Sequence, residues 1–281
     1  MLQNFTIKVP EIEVILPQSE KKYRVRSLKL DEEYNIKSSM ISTPSVINQK
    51  LNEIIYGTIT DKNKPDFKTF LSQVSVKDRD ALMYGLYEIT YGDEYPIENY
   101  ACPKCNKIQP IKINLSSGFN NVVFKAKDIK EKIIEKNENG EEVTKMITKK
   151  ETPLMEKTVE VKLDDNLYAI VHQSSLAYEQ LILDKIHNES VESLMQKVKM
   201  FKITKGKSEE IYSLYDSEAD YVYIFKQLYR KHKTIIEDAY NKTFGKYGTK
   251  VTTEYTCKNC GNVHKFDVDF VQQFFLMVYQ S

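Results

Sequence analysis

All four cysteines of the 281-residue chain fall in two CxxC pairs, Cys102-Pro103-Lys104-Cys105 and Cys257-Lys258-Asn259-Cys260. A CxxC turn lets two sulfurs face one ion, and two such turns complete a tetrahedral thiolate shell, the arrangement of a structural zinc site. The spacing therefore predicts one Zn2+ held by Cys102, Cys105, Cys257 and Cys260. Two competing chemistries exist for these residues. Disulfides need an oxidising compartment, and a redox CxxC is usually a single pair at a helix start.

Four thiolates around a divalent ion leave two negative charges in excess. Lys104, Lys107, Lys258 and Lys265 lie close in sequence to offset them, and with Lys112 they are the residues that would form a nucleic-acid face if there is one. His264, four residues after Cys260, could reach the ion, but the shell is already full and it reads as a strand-surface histidine. The remaining histidines, His172, His187 and His232, are scattered without metal-ligand spacing.

The surroundings of the two pairs also repeat. Tyr100 and Tyr255 stand two residues before the first cysteine of each pair, and Ile108-Gln109-Pro110-Ile111-Lys112-Ile113 and Val263-His264-Lys265-Phe266-Asp267-Val268 follow as alternating strands. Upstream, Glu13–Leu16 and Tyr23–Arg26 flank the turn Pro17-Gln18-Ser19-Glu20. Val159–Leu163 and Leu167–Val171 flank Asp164-Asp165-Asn166 in the same manner. Helical patterns follow over Leu30–Ile36 and Leu176–Leu183. Second helices are predicted over Lys77–Tyr91, with Leu82, Leu86 and Ile89 on one face, and over Glu218–Tyr240, with Tyr221, Ile224, Phe225, Leu228 and Ile235.

The chain is thus expected to be an α+β protein of two pseudo-repeats, each a β-hairpin, helices and a zinc knuckle, joined at one shared four-cysteine zinc-ribbon site. Residues 1–120 form the first repeat, 121–157 a charged arm or linker, and 158–281 the second repeat with an apolar C-terminal segment. Within the middle stretch, Asn137-Glu138-Asn139-Gly140 signals a hairpin turn between polar strands, so an exposed β-arm is expected, with a flexible linker of the same composition as the alternative. Phe270–Tyr279 is expected to dock on the chain's own core, or else in a partner's groove.

Composition narrows the function. The 41 basic and 40 acidic side chains nearly cancel, so no global field favours DNA, RNA or an anionic membrane. The start, Met1–Pro10, lacks the basic segment and apolar run of a secretion signal, and no stretch has the length of a membrane span, so a cytoplasmic origin is expected. Tyrosine (19) and phenylalanine (12) are plentiful and tryptophan is absent, a supply of amphipathic rings suited to packed interfaces.

Catalytic signatures are missing: there is no nucleophile elbow, no GxGxxG and no GxxxxGK[ST]. Asp31-Glu32-Glu33 sits at a helix start and Asp164-Asp165 in a turn, so both carboxylate clusters have structural explanations. No enzymatic activity and no small-molecule substrate are expected.

Three passages in order resemble a known family: the Leu16-Pro17 hairpin running into Tyr23–Glu33, the helix Asp80–Gly92 with Leu82, Tyr84, Leu86 and Tyr87, and the knuckle directly after it. They are similar to T-even-type contractile (myovirus) phage baseplate hub proteins over the first 120 residues, and the second half joins through its own knuckle. The resemblance implies a structural subunit of the tail baseplate, assembled in the host cytoplasm and bound to other hub or wedge and tail-tube proteins. It carries over no catalytic residue. Two other roles remain open on the sequence: a zinc-ribbon nucleic-acid or polymerase adaptor, and a transient baseplate assembly chaperone.

Overall fold

The structure is a computed structural model, and it describes residues 9–136, 142–186 and 193–268. Asn137–Gly140, His187 and the segment Phe270–Tyr279 lie outside the described residues. The architecture is mixed helix and sheet, with several small antiparallel sheets.

The alternating run at the start gives β1 (Glu11–Ile15) and β2 (Lys22–Arg26), paired antiparallel with Val14 opposite Tyr23. Val14, Leu16, Tyr23 and Val25 are buried by this period-two pattern. Helices α1 (Leu30–Ser39), α2 (Pro44–Thr58) and α3 (Phe67–Gln73) follow, then α4 (Val76–Tyr91). Ser75 caps α4: its Oγ accepts from Asp78 N at 2.9 Å, and Asp78 Oδ2 accepts from Ser75 N at 3.1 Å. The other carboxylate oxygen, Asp78 Oδ1, accepts from Gln18 N at 2.8 Å, which pins the β1–β2 turn to the helix start. Burial pushes the Asp78 carboxyl above its ordinary range against the pull of these backbone donors.

The single apolar face expected for α4 is too narrow a description. Ala81 to Tyr87 are buried without interruption, so the helix is enclosed on all sides. Gly85 allows this, because a Cβ there would stand 2.4 Å from Val14 Cγ2. Around α4 gathers the first core, with Leu16, Val25, Ile36, Ile55, Phe70, Leu82, Met83 and Leu86 fully or almost fully buried.

The second core lies under a four-stranded antiparallel sheet, in the order β11-β10-β9-β8. Its strands are β8 (Thr158–Lys162), β9 (Leu167–His172), β10 (Val198–Lys205) and β11 (Ser208–Ser213). Helix α6 (Leu176–Lys185) follows β9, and after the sheet come α7 (Glu218–Lys226) and α8 (Arg230–Tyr240). Phe201 of β10 meets Tyr221 and Phe225 of α7 at ring-centroid distances of 5.3 and 5.8 Å. The helix expected over Glu218–Tyr240 is therefore two helices. Tyr229 adopts an extended conformation as the N-cap of α8, and its N–H donates to Nδ1 of His232 at 3.1 Å.

Two of the passages of the chain between the cores pair with each other. Leu115, in the short helix α5 (Leu115–Gly118), belongs to the first core and Phe124 to the second; Tyr247 packs with the second and Val251 with the first. The intervening strands β5 (Phe119–Val122) and β12 (Gly248–Thr256) run antiparallel, with Phe119 opposite Val251. As a result Val251, Tyr255, Phe266 and Val268 pack with the first core, and segment 158–281 shares its last hairpin with residues 14–115.

Between β5 and β8, β6 (Asp128–Lys136) and β7 (Glu142–Lys150) form a two-stranded ribbon in continuous register from Asp128↔Lys150 to Lys136↔Glu142. Asp128 to Lys132 are exposed in unbroken succession, so both faces of the ribbon meet solvent there. Among the described residues no helix is long and apolar enough to cross a membrane.

Candidate metal centre

Each CxxC pair forms the turn of a β-hairpin. Strand β3 (Glu94–Ala101) pairs with β4 (Ile108–Asn114), and β12 pairs with β13 (Val263–Asp267). In the first turn Cys102 N donates to Lys107 O at 3.1 Å and Asn106 N to Cys102 O at 2.8 Å. In the second, Cys257 N donates to Asn262 O and Gly261 N to Cys257 O, both at 2.9 Å. The residue after the second cysteine is left-handed in both, Asn106 at φ 54° and Gly261 at φ 67°. Asn and Gly are the residues that tolerate this conformation best. One turn geometry is thus built twice, by residues more than 150 positions apart.

The turns meet sulfur to sulfur. All four Sγ atoms lie within 4.8 Å of one another. Two close separations cross between the turns, Cys102 to Cys260 at 3.7 Å and Cys105 to Cys257 at 3.8 Å. A tetrahedral zinc site with bonds of about 2.3 Å has sulfur–sulfur edges of about 3.8 Å. A disulfide needs about 2.05 Å, and all four cysteines are free. Among the described residues this is the one group of His, Cys, Asp and Glu side chains placed to hold a metal ion.

Aromatic rings hold the hairpins together beside the sulfurs. Tyr100 meets Tyr255 edge-on at 5.5 Å and stacks on Phe266 at 5.4 Å. Cys102 and Cys257 are buried, Cys105 and Cys260 half-buried. Although burial opposes ionisation, the backbone N–H groups of Cys260 and Asn259 bring the Cys257 thiol down to about 6. The Asn259 amide and the backbone N–H of Lys107 hold Cys105 below the ordinary thiol range. Cys260 goes the other way, up to about 12, since burial and the neighbouring sulfurs outweigh the Asn262 backbone N–H. Without a cation, crowding resists the last negative charge. A bound divalent ion would remove that resistance and favour the thiolate form at all four.

Three side chains sequence reasoning assigned differently, or missed, touch the sulfurs. His264 is not a bystander on a strand surface: its Nε2 lies 3.2 Å from Cys102 Sγ. Gln109 Nε2 donates to Cys257 Sγ at 3.3 Å, and Asn259 Nδ2 to Cys105 Sγ at 3.4 Å. The signal for Gln109 was its register, since it stands four residues after Cys105 as His264 does after Cys260.

The flanking lysines contribute less than expected. Lys265 pairs with Glu254 at 2.5 Å and Lys112 with Glu94 at 2.9 Å, so two of the five cations that would build a basic face are already engaged. Lys104, Lys107 and Lys258 are exposed. Elsewhere, His172 is buried on β9 against Tyr178, and His232 caps α8. Glu32 caps α1 by accepting from Lys29 N and pairs with Arg26, while Asp164 closes the β8–β9 turn by donating its backbone N–H to Leu167 O at 3.1 Å.

No curated protein and no solved structure matches the chain. One family model does match, that of the T4 bacteriophage base plate protein, over residues 9–276. This span takes in both hairpin turns, both cores and the exposed ribbon, and on it the chain belongs to the T4 bacteriophage base plate protein family, with a structural role in the phage tail baseplate.

Proposed function

We propose that the chain is a structural subunit of the baseplate hub of a contractile tail, a protein–protein scaffold clasped by one structural zinc ion at Cys102, Cys105, Cys257 and Cys260. The observation that carries the metal is the crossed sulfur geometry, with edges of 3.7 and 3.8 Å between turns from opposite ends of the chain. In this reading the ion closes a ring of some 150 residues and fixes the hairpins of two pseudo-repeats, each of hairpin, helices and knuckle. Structural zinc binding is worth about 10–16 kcal/mol in small peptides, so a fraction of it suffices to hold such a joint rigid.

Its partners are other hub or wedge and tail-tube proteins, and it performs no catalysis. Surface chemistry supports contact with proteins: Leu30 and Tyr34, one turn apart on α1, are 85 and 71 % exposed, and Ile41, in the turn after the helix, is 95 % exposed. Tyr215, Tyr223 and Tyr229 add exposed rings on the other half. The pairing of Lys112 and Lys265 with acids, together with 41 basic against 40 acidic side chains, argues against a nucleic-acid ribbon.

Quantitative mass spectrometry of purified tail particles tests the role, together with metal analysis of the isolated chain. A fixed ratio to other baseplate subunits and one zinc per chain are expected. Absence from finished particles would leave an assembly factor instead, and salt-dependent binding to DNA or RNA would favour the adaptor.

A further inference from the structure

Gln109 and His264 occupy corresponding places in the two hairpins. Gln109 is cross-strand from Tyr100 and His264 from Tyr255, each tyrosine two residues before a knuckle. Each side chain, moreover, turns away from its own knuckle's first cysteine and toward the first cysteine of the other: Gln109 to Cys257, His264 to Cys102. Those two sulfurs are the buried ones. The contacts are thus exchanged across an approximate two-fold relation between the hairpins, and the two chemically different residues share one property, a side-chain nitrogen able to carry a proton at 3.2–3.3 Å from sulfur.

From this exchange we infer that Gln109 and His264 are a crossed pair of positioning residues for the metal, each donating an N–H···S hydrogen bond that orients the opposite hairpin's buried thiolate and spreads its charge. The inference rests on the metal-clasp reading above. A buried anion without donors is costly, and donors to metal-bound groups set both orientation and affinity. Asn262 Nδ2 lies 3.3 Å from Nδ1 of His264 and 3.0 Å from Nε2. The donor role fixes the tautomer that carries the proton on Nε2, the nitrogen facing Cys102, and leaves Nδ1 as the ring acceptor. The exchange also couples the hairpins directly: to displace one hairpin is to strip a donor from the other's sulfur.

The test uses the full chain, loaded with zinc and challenged by a chromogenic zinc chelator. His264→Phe and Gln109→Leu keep side-chain bulk and remove the donor. Each is expected to retain one zinc per chain with affinity lowered about 10–100-fold. His264→Gln, which installs the donor used by the sister hairpin, is expected to recover most of that loss. Unchanged affinity in both donorless variants, with zinc present in the parent, would overturn the donor role and leave the clasp standing. Complete loss of zinc from His264→Phe with full retention in Gln109→Leu would make His264 a ligand and likewise overturn it. A parent chain that folds without zinc would overturn the clasp itself and the donors with it.

Discussion

Arg79 and Glu179 meet head-on between the two halves of the chain, Nη1 to Oε2 at 2.5 Å and Nη2 to Oε1 at 2.9 Å, with side chains only 6 and 7 % exposed. Their positions are coupled to the helix starts. Ser75 and Ser175, the N-caps of α4 and α6, form an isolated antiparallel bridge, and each charge sits four residues into its helix. Asn48 Oδ1 accepts a further bond from Arg79 at 2.6 Å. Removing one partner of a buried pair strands the other, at a cost of about 3–5 kcal/mol. Arg79→Ala should therefore lower unfolding free energy by about that amount in urea titrations. The double change Arg79→Leu with Glu179→Leu should cost distinctly less, since no charge is left unpaired. Equal losses in the two variants would mean that packing rather than charge decides this junction.

The proposed metal clasp makes an all-or-none forecast. With ligands drawn from both turns, Cys102→Ser and Cys257→Ser should each remove the whole zinc content and destabilise the chain alike. If even a fifth of the apparent 10–16 kcal/mol of small zinc peptides is realised, the loss is about 2–3 kcal/mol, readable as a lower melting temperature after chelation. Half-occupancy after either substitution would indicate two sites, one per turn, and refute the clasp.

Much of this organisation was legible because it depends on local patterns. The helix expected over Lys77–Tyr91 is found at Val76–Tyr91, and the strands expected at Val159–Leu163 and Leu167–Val171 are found at Thr158–Lys162 and Leu167–His172. The four sulfurs come together as the paired spacing implied. What stayed hidden depends on tertiary contact. No Gly or Pro marks the break at Tyr229, which is set by the His232 cap. The hairpin β10–β11 is the exception, marked locally by Gly206 at φ 64° between Lys205 and Lys207. Arg79 and Glu179 are 100 residues apart in sequence, and only the folded chain pairs them.

His172 gives the stability a pH dependence. Burial, with Lys199 nearby, brings its imidazole from 6.5 down to about 3, so the folded chain keeps it neutral. Its contribution is fully present above pH 6.5, the unfolded value, and is lost as pH falls from there toward about 3, because only the unfolded chain takes up the proton. At about 1.36 kcal/mol per pH unit, moving from pH 7 to 5 should cost about 2 kcal/mol through this group. Buried carboxyls such as Asp78, raised rather than lowered, act in the opposite direction, so the quantity to measure is a difference. Wild type should lose about 2 kcal/mol more than His172→Gln between those two pH values. Identical pH profiles would show that the ring is hydrated in the folded chain.

The ribbon of β6 and β7 is the element whose removal should separate folding from assembly. Its base is already closed, since Glu151 N donates to Lys127 O at 2.7 Å, so residues 128–150 can be replaced by a short Gly-Ser turn without moving either end. Among the described residues neither core includes a side chain of the ribbon, and a two-stranded ribbon adds little stability of its own. The shortened chain should melt within a few degrees of the parent and keep its zinc. The open edges and charged faces that are lost, however, are what a neighbouring subunit could pair with. If the ribbon serves the baseplate, tails assembled with the shortened chain should incorporate it poorly or stall, as counted by electron microscopy and by its ratio to other subunits. Normal incorporation and infectivity would remove the ribbon from the assembly contacts and leave the exposed Leu30 and Tyr34 of α1, with Ile41 just after it, as the surface to test next.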